Sequence, residues 1–161
     1  RKFCIIMLKA YKYRIYPNQE QKELLSHIFG QVRFVYNLGL ETKINAYVGN
    51  KKHLKYFDLN KQITELKNTD APWLKESPAQ ALQMSMRNLD NAYTNFFRGS
   101  GFPKFKSKYA KQSFQLPQGV YLNDDKSKIF IPKLKFTDID YHRDFKGEIK
   151  TITISKSITN K

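Results

Sequence analysis

Leu8-Lys9-Ala10-Tyr11-Lys12-Tyr13-Arg14-Ile15-Tyr16-Pro17 is the stretch on which the fold turns. Apolar and aromatic side chains alternate roughly with Lys9, Lys12 and Arg14, and a proline, which cannot donate to a sheet ladder, closes the run. Residues 8–15 therefore read as a β-strand. The helical segments after it offer that strand no partner. Asn18 is a candidate N-cap, with Glu20 in the first turn and Leu24, Leu25, Ile28 and Phe29 at helical spacing. Gly30 interrupts the pattern, so a second helix is expected from Gln31 to about Val48, ended by Gly49-Asn50. Asp58 caps a shorter helix carrying Leu59, Ile63 and Leu66 on one side, and Pro72 and Pro78 bracket a turn with Trp73 and Leu74. The longest helix is expected from Ser77 to about Phe97, stopped by Gly99-Ser100-Gly101.

After residue 112 the texture changes. Phe114–Leu116, Val120–Leu122, Lys128–Ile131, Leu134–Phe136 and Ile149–Ser155 are short, β-branched or aromatic, and spaced by turn residues. That pattern predicts a small antiparallel β-barrel. A barrel must close its edges, so the strand at 8–15 is expected to pair with these later strands. The fold class is then α+β, a β-barrel with an inserted helical, helix-turn-helix-like domain. The expected division is 7–16 and 100–161 for the barrel and 17–99 for the helices, with residues 1–6, ahead of Met7, upstream of the fold.

Charge points to the partner. The 161 residues hold 29 Lys+Arg against 14 Asp+Glu, a formal net charge of +15, and 14% are aromatic, too many for a disordered basic tail. A single cysteine, Cys4, excludes an internal disulfide and a Cys-rich zinc ribbon within these residues. No apolar run approaches the ~18–20 residues of a membrane-spanning helix. Residues 1–15 contribute +5, residues 16–97 only +2, and residues 98–161 +8. Between Asp90 and Asp124 there is no acid, while Arg98, Lys104, Lys106, Lys108 and Lys111 all fall there. Such a one-signed stretch repels itself unless a polyanion neutralises it.

Two segments carry candidate chemistry. On the long helix Leu82, Met86, Leu89, Tyr93 and Phe96 form a core stripe, and another face carries Gln80, Gln83, Arg87 and Asn91. Gln and Asn bond the adenine edge bidentately and Arg the guanine edge, so this face could read bases. A polar outer face is also the rule for amphipathic helices, and the residues alone favour that plainer reading. In Gly101-Phe102-Pro103-Lys104-Phe105-Lys106-Ser107-Lys108, lysines suit phosphates and Phe102 and Phe105 offer stacking faces, or else anchor a basic loop. His27, His53 and His142 lack ligand spacing, and Asp124-Asp125 sits in an expected turn. No phosphate-binding glycine loop or nucleophile motif is present. On its residues the chain is a binder, with no catalytic residue, metal or cofactor expected.

A wider pattern is also present. Tyr11-Lys12-Tyr13-Arg14-Ile15-Tyr16-Pro17, Gln21, and Arg33-Phe34-Val35-Tyr36-Asn37 resemble the opening of the TnpB (OrfB) proteins of bacterial insertion sequences. Trp73-Leu74, Ala81-Leu82-Gln83, Asn88-Leu89-Asp90-Asn91-Ala92-Tyr93 and Asn95-Phe96-Phe97 continue the resemblance. Gly101-Phe102-Pro103-Lys104-Phe105-Lys106 and Ile131-Pro132-Lys133-Leu134 complete it, over residues 7–161. It implies the N-terminal part of an RNA-guided DNA endonuclease related to type V CRISPR effectors. In that family a wedge β-barrel with an inserted helical recognition domain grips guide RNA and a short element-adjacent motif in double-stranded DNA. The family's motif contacts, carried over by position, nominate Tyr56, Asn60, Ala79, Gln80, Gln83, Pro117 and Gln118, with Gln83 inside the matched Ala-Leu-Gln. Nucleic-acid backbone contacts are expected from Lys9, Lys12, Arg14, Arg33, Arg87, Lys104, Lys106, Lys108 and Lys111.

The family's magnesium-dependent RuvC-like nuclease lies after the barrel. None of its carboxylates is assignable here, so this chain is expected to bind and not cut. The resemblance implies the nucleoid of a bacterial or archaeal cytoplasm, with no membrane partner. The rival readings are an RNA-independent, sequence-specific helix-turn-helix regulator, or an interaction module whose basic surface is incidental.

Overall fold

Asn18 launches the helical part with a reciprocal cap. The Gln21 backbone N–H donates to Asn18 Oδ1 at 2.8 Å, and the Asn18 N–H donates to Gln21 Oε1 at 3.0 Å. The helix it starts, α1 (Gln19–Asn50), runs without a break through Gly30, where the sequence suggested two helices. A helix-interior glycine costs only about 1 kcal/mol. Ile28, Phe29, Val32 and Val35, buried on both sides of Gly30, hold α1 together. Lys51, in the left-handed conformation (φ 53°), ends it.

The computed structural model describes residues 8–156; the expectation for residues 1–6 lies outside them. Before α1 comes β1 (Arg14–Tyr16), and after it α2 (Tyr56–Asn68), a 3-10 turn (Pro72–Glu76) and α3 (Ala79–Phe97). Next come β2 (Gln112–Leu116), β3 (Tyr121–Leu122), β4 (Lys128–Ile131), β5 (Lys135–Asp140) and β6 (Ile152–Lys156). Asp58 lies within the first turn of α2 rather than at its cap: its Oδ2 accepts from the Lys55 N–H at 2.8 Å.

The core forms where α1 meets α3. Ile28, Val35 and Leu40 are fully buried against Leu82, Met86 and Leu89. The approach is close because position 39 is glycine. A Cβ there would stand 2.9 Å from Leu89 Cδ2 and 3.1 Å from Met86 Cε. At one end of this contact the buried Lys43 reaches Asp90 at 3.1 Å and lies 4.6 Å over the Tyr93 ring.

All strand pairs are antiparallel, in a four-stranded sheet β1-β5-β4-β3 and a two-stranded sheet β2-β6. β1 pairs with β5 across the whole helical segment, with Ile15 opposite Ile139. The expected strand at 8–15 is shorter than the sequence suggested, because its tyrosines pack elsewhere. Tyr13 stacks on Tyr141 (5.3 Å, 5°) and its hydroxyl donates to the Arg143 carbonyl at 2.6 Å.

Nor do the described strands close into a barrel, as the sequence suggested. Pro117 and Gly119 (φ +78°) turn the chain away after β2, and β3 gives β4 only two residues. β2 instead lies on the helices: Phe114 meets Phe29 edge-on at 5.3 Å, and Asn88 Nδ2 donates to Gln115 Oε1 at 3.2 Å. Burial of β2 against α1 and α3 takes the place of barrel closure.

The two glycines of α1 should respond oppositely to substitution. Gly39→Val overpacks the contact with α3 and should lower unfolding free energy by about 1–3 kcal/mol. Gly30→Ala, whose Cβ would meet only Arg33 Nη2 at 3.9 Å, should raise it by about 0.4–1 kcal/mol. Urea denaturation of both variants checks this.

Candidate nucleic-acid interface

α3 is held by its inner stripe. Ala81, Leu82, Ser85, Met86 and Leu89 are buried, and Ser85 Oγ donates to the Val32 carbonyl of α1 at 3.0 Å. That fixes what faces out. Ala79, Gln83 and Arg87 are exposed, and Gln80 is half-buried at the margin of the same face. Gln80 Oε1 is buried and accepts no hydrogen bond among the described residues. An acceptor held from water with nothing donating to it costs about 1–3 kcal/mol.

The Arg87 guanidinium lies 5.1 Å over the Tyr56 ring, which brings the start of α2 beside the outer face of α3. Asn60, one turn further along α2, is also half-buried. Tyr56, Asn60, Ala79, Gln80, Gln83 and Arg87 thus lie on two packed helices. Pro117 and Gln118 sit in the β2–β3 turn, half-buried and exposed, and no hydrogen bond or ion pair among the described residues ties them to α3.

The acid-free loop 98–111 is fastened to α1. Asn37 Nδ2 donates to the Lys106 carbonyl at 3.0 Å, and the Lys106 N–H donates to Asn37 Oδ1 at 2.8 Å. Gln112 Nε2 donates to the carbonyls of Ser107, Lys108 and Ala110 at 3.0, 3.1 and 2.8 Å. The half-buried Arg33 in turn donates through Nη1 to Gln112 Oε1 at 3.0 Å, which uses one of its five N–H groups. A loop pinned in this way presents its lysines at little further entropic cost.

Those lysines differ among themselves. Lys104, Lys108 and Lys111 are exposed, with Lys108 Nζ 5.0 Å from the Tyr109 ring. Lys106 keeps an open stem but rests its ammonium 4.3 Å over the Tyr36 ring, and desolvation there pulls its pKa below the ordinary lysine value. Among the described residues none of the four pairs with a carboxylate; the ion pairs lie elsewhere. Lys9, Lys12 and Arg14 are exposed along the N-terminal stretch, Arg14 opposite Asp140 in the β1–β5 register.

The remaining polar groups do structural work. His27 contacts Glu76 at 3.3 Å, and Glu76 also accepts from Gln31 at 3.0 Å. Asp125 accepts from the Ser127 N–H and hydroxyl, which lowers its pKa and shapes a turn. No three His, Cys, Asp or Glu side chains among the described residues are grouped to hold a metal.

The chain has recognisable relatives among known proteins. Residues 7–52 match an OrfB/IS605 family described as a helix-turn-helix domain. The chain is 36% identical over 152 residues to InsQ of Escherichia coli (strain K12), provisionally named an RNA-guided DNA endonuclease. That alignment takes in 93% of this chain and 38% of InsQ. The chain belongs to the TnpB/OrfB family. A Streptomyces pristinaespiralis protein with the same provisional name is 39% identical over 102 residues, 62% of this chain and 25% of its own length. The Salmonella dublin virulence protein VsdF is 39% identical over 119 residues, 65% of this chain and 98% of VsdF. The chain therefore spans well under half of the two endonuclease-named relatives and nearly all of VsdF.

The matched segment of this TnpB/OrfB chain takes in β1, α1 and the start of the connection to α2. It contains the side chains that fasten the rest: Gln21, whose Nε2 donates to the carbonyls of Leu134 and Phe136 at 3.0 and 2.8 Å, then Arg33 and Asn37. All three stand within the sequence motifs, yet residue order gave Gln21 and Asn37 no role. α1 is rich in polar residues throughout, so only their place within the quoted motifs marks these two. Asn37→Ala should lower stability by about 1–2 kcal/mol through two lost hydrogen bonds. Hydrogen exchange should accelerate at residues 104–111 while α3 keeps its protection.

Proposed function

We propose that this chain is the nucleic-acid-binding N-terminal portion of a TnpB-like RNA-guided DNA endonuclease, binding guide RNA and a short transposon-adjacent motif in double-stranded DNA. One observation carries the reading. In a member of this family, an outward polar face on α3 is braced by Arg87 over Tyr56, and α1 also holds an acid-free lysine loop in place. Gln83, with Gln80, Ala79, Tyr56 and Asn60, reads base edges of the adjacent motif, and Pro117 and Gln118 approach the same duplex from the β2–β3 turn. Lys104, Lys106, Lys108, Lys111, Arg33 and Arg87, with Lys9, Lys12 and Arg14, neutralise phosphates. Residues 7–16 and 100–161 act as the wedge body and 17–99 as the recognition insert. Guide pairing reads the remaining sequence, so the protein needs to recognise only the short motif and backbone shape.

The chain binds and does not cut; it works at the nucleoid of a bacterial or archaeal cytoplasm. No described helix is long and apolar enough to cross a membrane. The rival regulator reading draws on the helix-turn-helix description of the matched family. It requires tight duplex binding without RNA and a symmetric dimer on a palindromic site.

Two variants test the division of labour. Gln83→Ala should weaken binding to motif-bearing duplex by roughly tenfold or more and leave guide-RNA binding unchanged. The triple change Lys104→Ala, Lys106→Ala, Lys108→Ala should weaken every nucleic acid and reduce the log–log salt slope by about two. The drop is nearer two than three because Lys106, drawn onto the Tyr36 ring, makes the weakest of the three phosphate contacts. Filter binding across a salt series measures both. Full affinity and slope in the triple variant would contradict the lysine assignment, and equal losses on RNA and duplex in Gln83→Ala would contradict motif reading.

A further inference from the structure

The far end of the helical body carries a second aromatic surface, apart from the α3 face and meeting the lysine loop only at its start. Six rings succeed one another in an arc. Tyr47 lies 5.1 Å from His53, His53 lies 6.3 Å from Phe97, and Phe97 lies 5.3 Å from Phe96. Phe96 meets Phe102 edge-on at 5.2 Å, and Phe102 meets Tyr93 at 5.6 Å. The end of α1, the α1–α2 connection, the end of α3 and the start of the basic loop all contribute to it. The inner members, Tyr93 and Phe96, are half-buried and anchor the loop. The outer ones keep broad faces open to solvent: Phe97 is 68% exposed, and Tyr47 and Phe102 are each 46% exposed. Singly exposed aromatics are ordinary, whereas a contiguous exposed arc marks a contact surface.

Charge says what the contact is. Lys51, Lys52 and Lys55 come after Tyr47 in the chain, and Arg98 and Lys104 flank Phe102. All five are exposed, and none pairs with a carboxylate among the described residues. No acid occurs in residues 46–57 or 91–111. Lys51 Nζ stands 4.8 Å from the Tyr47 ring, so cation and π-face share one site. A protein partner's apolar face would meet five uncompensated charges, which protein interface cores avoid. Exposed ring faces with cations spaced around them suit unpaired bases on a phosphate backbone.

We propose that the arc formed by Tyr47, His53, Phe97 and Phe102 is a stacking platform for an unpaired nucleotide stretch, with Lys51, Lys52 and Arg98 on its phosphates. It rests on the reading of the chain as a nucleic-acid binder and adds a second, single-strand-selective site. Stacking does not select the sugar, so RNA and DNA single strands both bind there. Duplex, whose bases are already stacked, gains nothing from the rings.

Fluorescence anisotropy on the full chain tests this, with a labelled mixed-sequence single strand of about 15 nucleotides, as RNA and as DNA, and a duplex of equal length. Phe97→Ala with Tyr47→Ala should weaken single-strand binding roughly tenfold or more, with duplex affinity and the salt slope unchanged. Phe97→Trp should restore affinity, and its indole fluorescence should be quenched by the single strand beyond the quenching of Trp73 in the parent. Phe97→Leu, which keeps apolar area without a stacking face, should stay weak; retained affinity in Phe97→Leu would overturn the platform and favour an apolar protein contact. Unchanged single-strand binding in the double alanine variant, or equal loss on duplex, overturns it too. Because Gln83 lies on another face and the triple lysine change leaves Tyr47 and Phe97 in place, failure here leaves the outcomes of those variants standing. If the double alanine variant is unfolded by circular dichroism, the tryptophan quenching decides alone.

Discussion

The approach of α1 to α3 at Gly39 sets the geometry of what surrounds it. With no Cβ at that position, Leu89 and Met86 press against the α1 backbone and the inner stripe of α3 is consumed in the core. A helix whose apolar stripe is buried has one way to face. Gln83 and Arg87 therefore point outward, and Arg87 meets Tyr56 on α2. A bulkier residue at 39 would push the helices apart and tilt that face.

α1 acts as a spine as well as a packing partner. Near its N-terminus Gln21 bonds the β4–β5 connection and the start of β5, in its middle Asn37 holds the basic loop at Lys106 and Arg33 holds Gln112 just after it, and further on Lys43 pairs with Asp90. The loop's repulsive charge is tolerated because hydrogen bonds to backbone carbonyls, and not ion pairs, fix its course. Lys43 is the one cation taken into the core among the described residues, and both a carboxylate and a ring face compensate it. Within the helical segment Asp58, Glu76 and Asp90 are engaged in a cap, a polar contact and this ion pair, while the loop 98–111 holds no acid to offset its lysines.

Much of this was legible in residue order. The helices, the Asn18 cap, the outward set on α3 and the return of the N-terminal strand to the later ones come from periodicity, capping and the need to pair an edge. What escaped were outcomes of competition at a distance. Gly30 looks like a break, yet burial on both sides of it outweighs its helix penalty of about 1 kcal/mol. The run 8–15 looks like one strand, yet only Arg14–Tyr16 forms it, because Tyr13 stacks on Tyr141, more than a hundred residues away. A strand count alone suggests a barrel; β2 lies on the helices because Phe114 and Leu116 find deeper burial there. For the site, the polar stripe and the lysines could be read directly. The bonds from Asn37 and Arg33 to the loop region, and the arc joining Tyr47 to Phe102, join residues too far apart in sequence for spacing to reveal.

The central claim is that this chain binds a guide RNA and that its own contacts with DNA are confined to a short motif. Purifying the chain from its host and sequencing the RNA that accompanies it through a high-salt wash tests that claim most directly. The expected result is one strongly enriched RNA species with a shared scaffold, and motif-dependent duplex binding that rises when that RNA is present. No enriched RNA, together with tight binding of a palindromic duplex by a dimer of the chain alone, would contradict it.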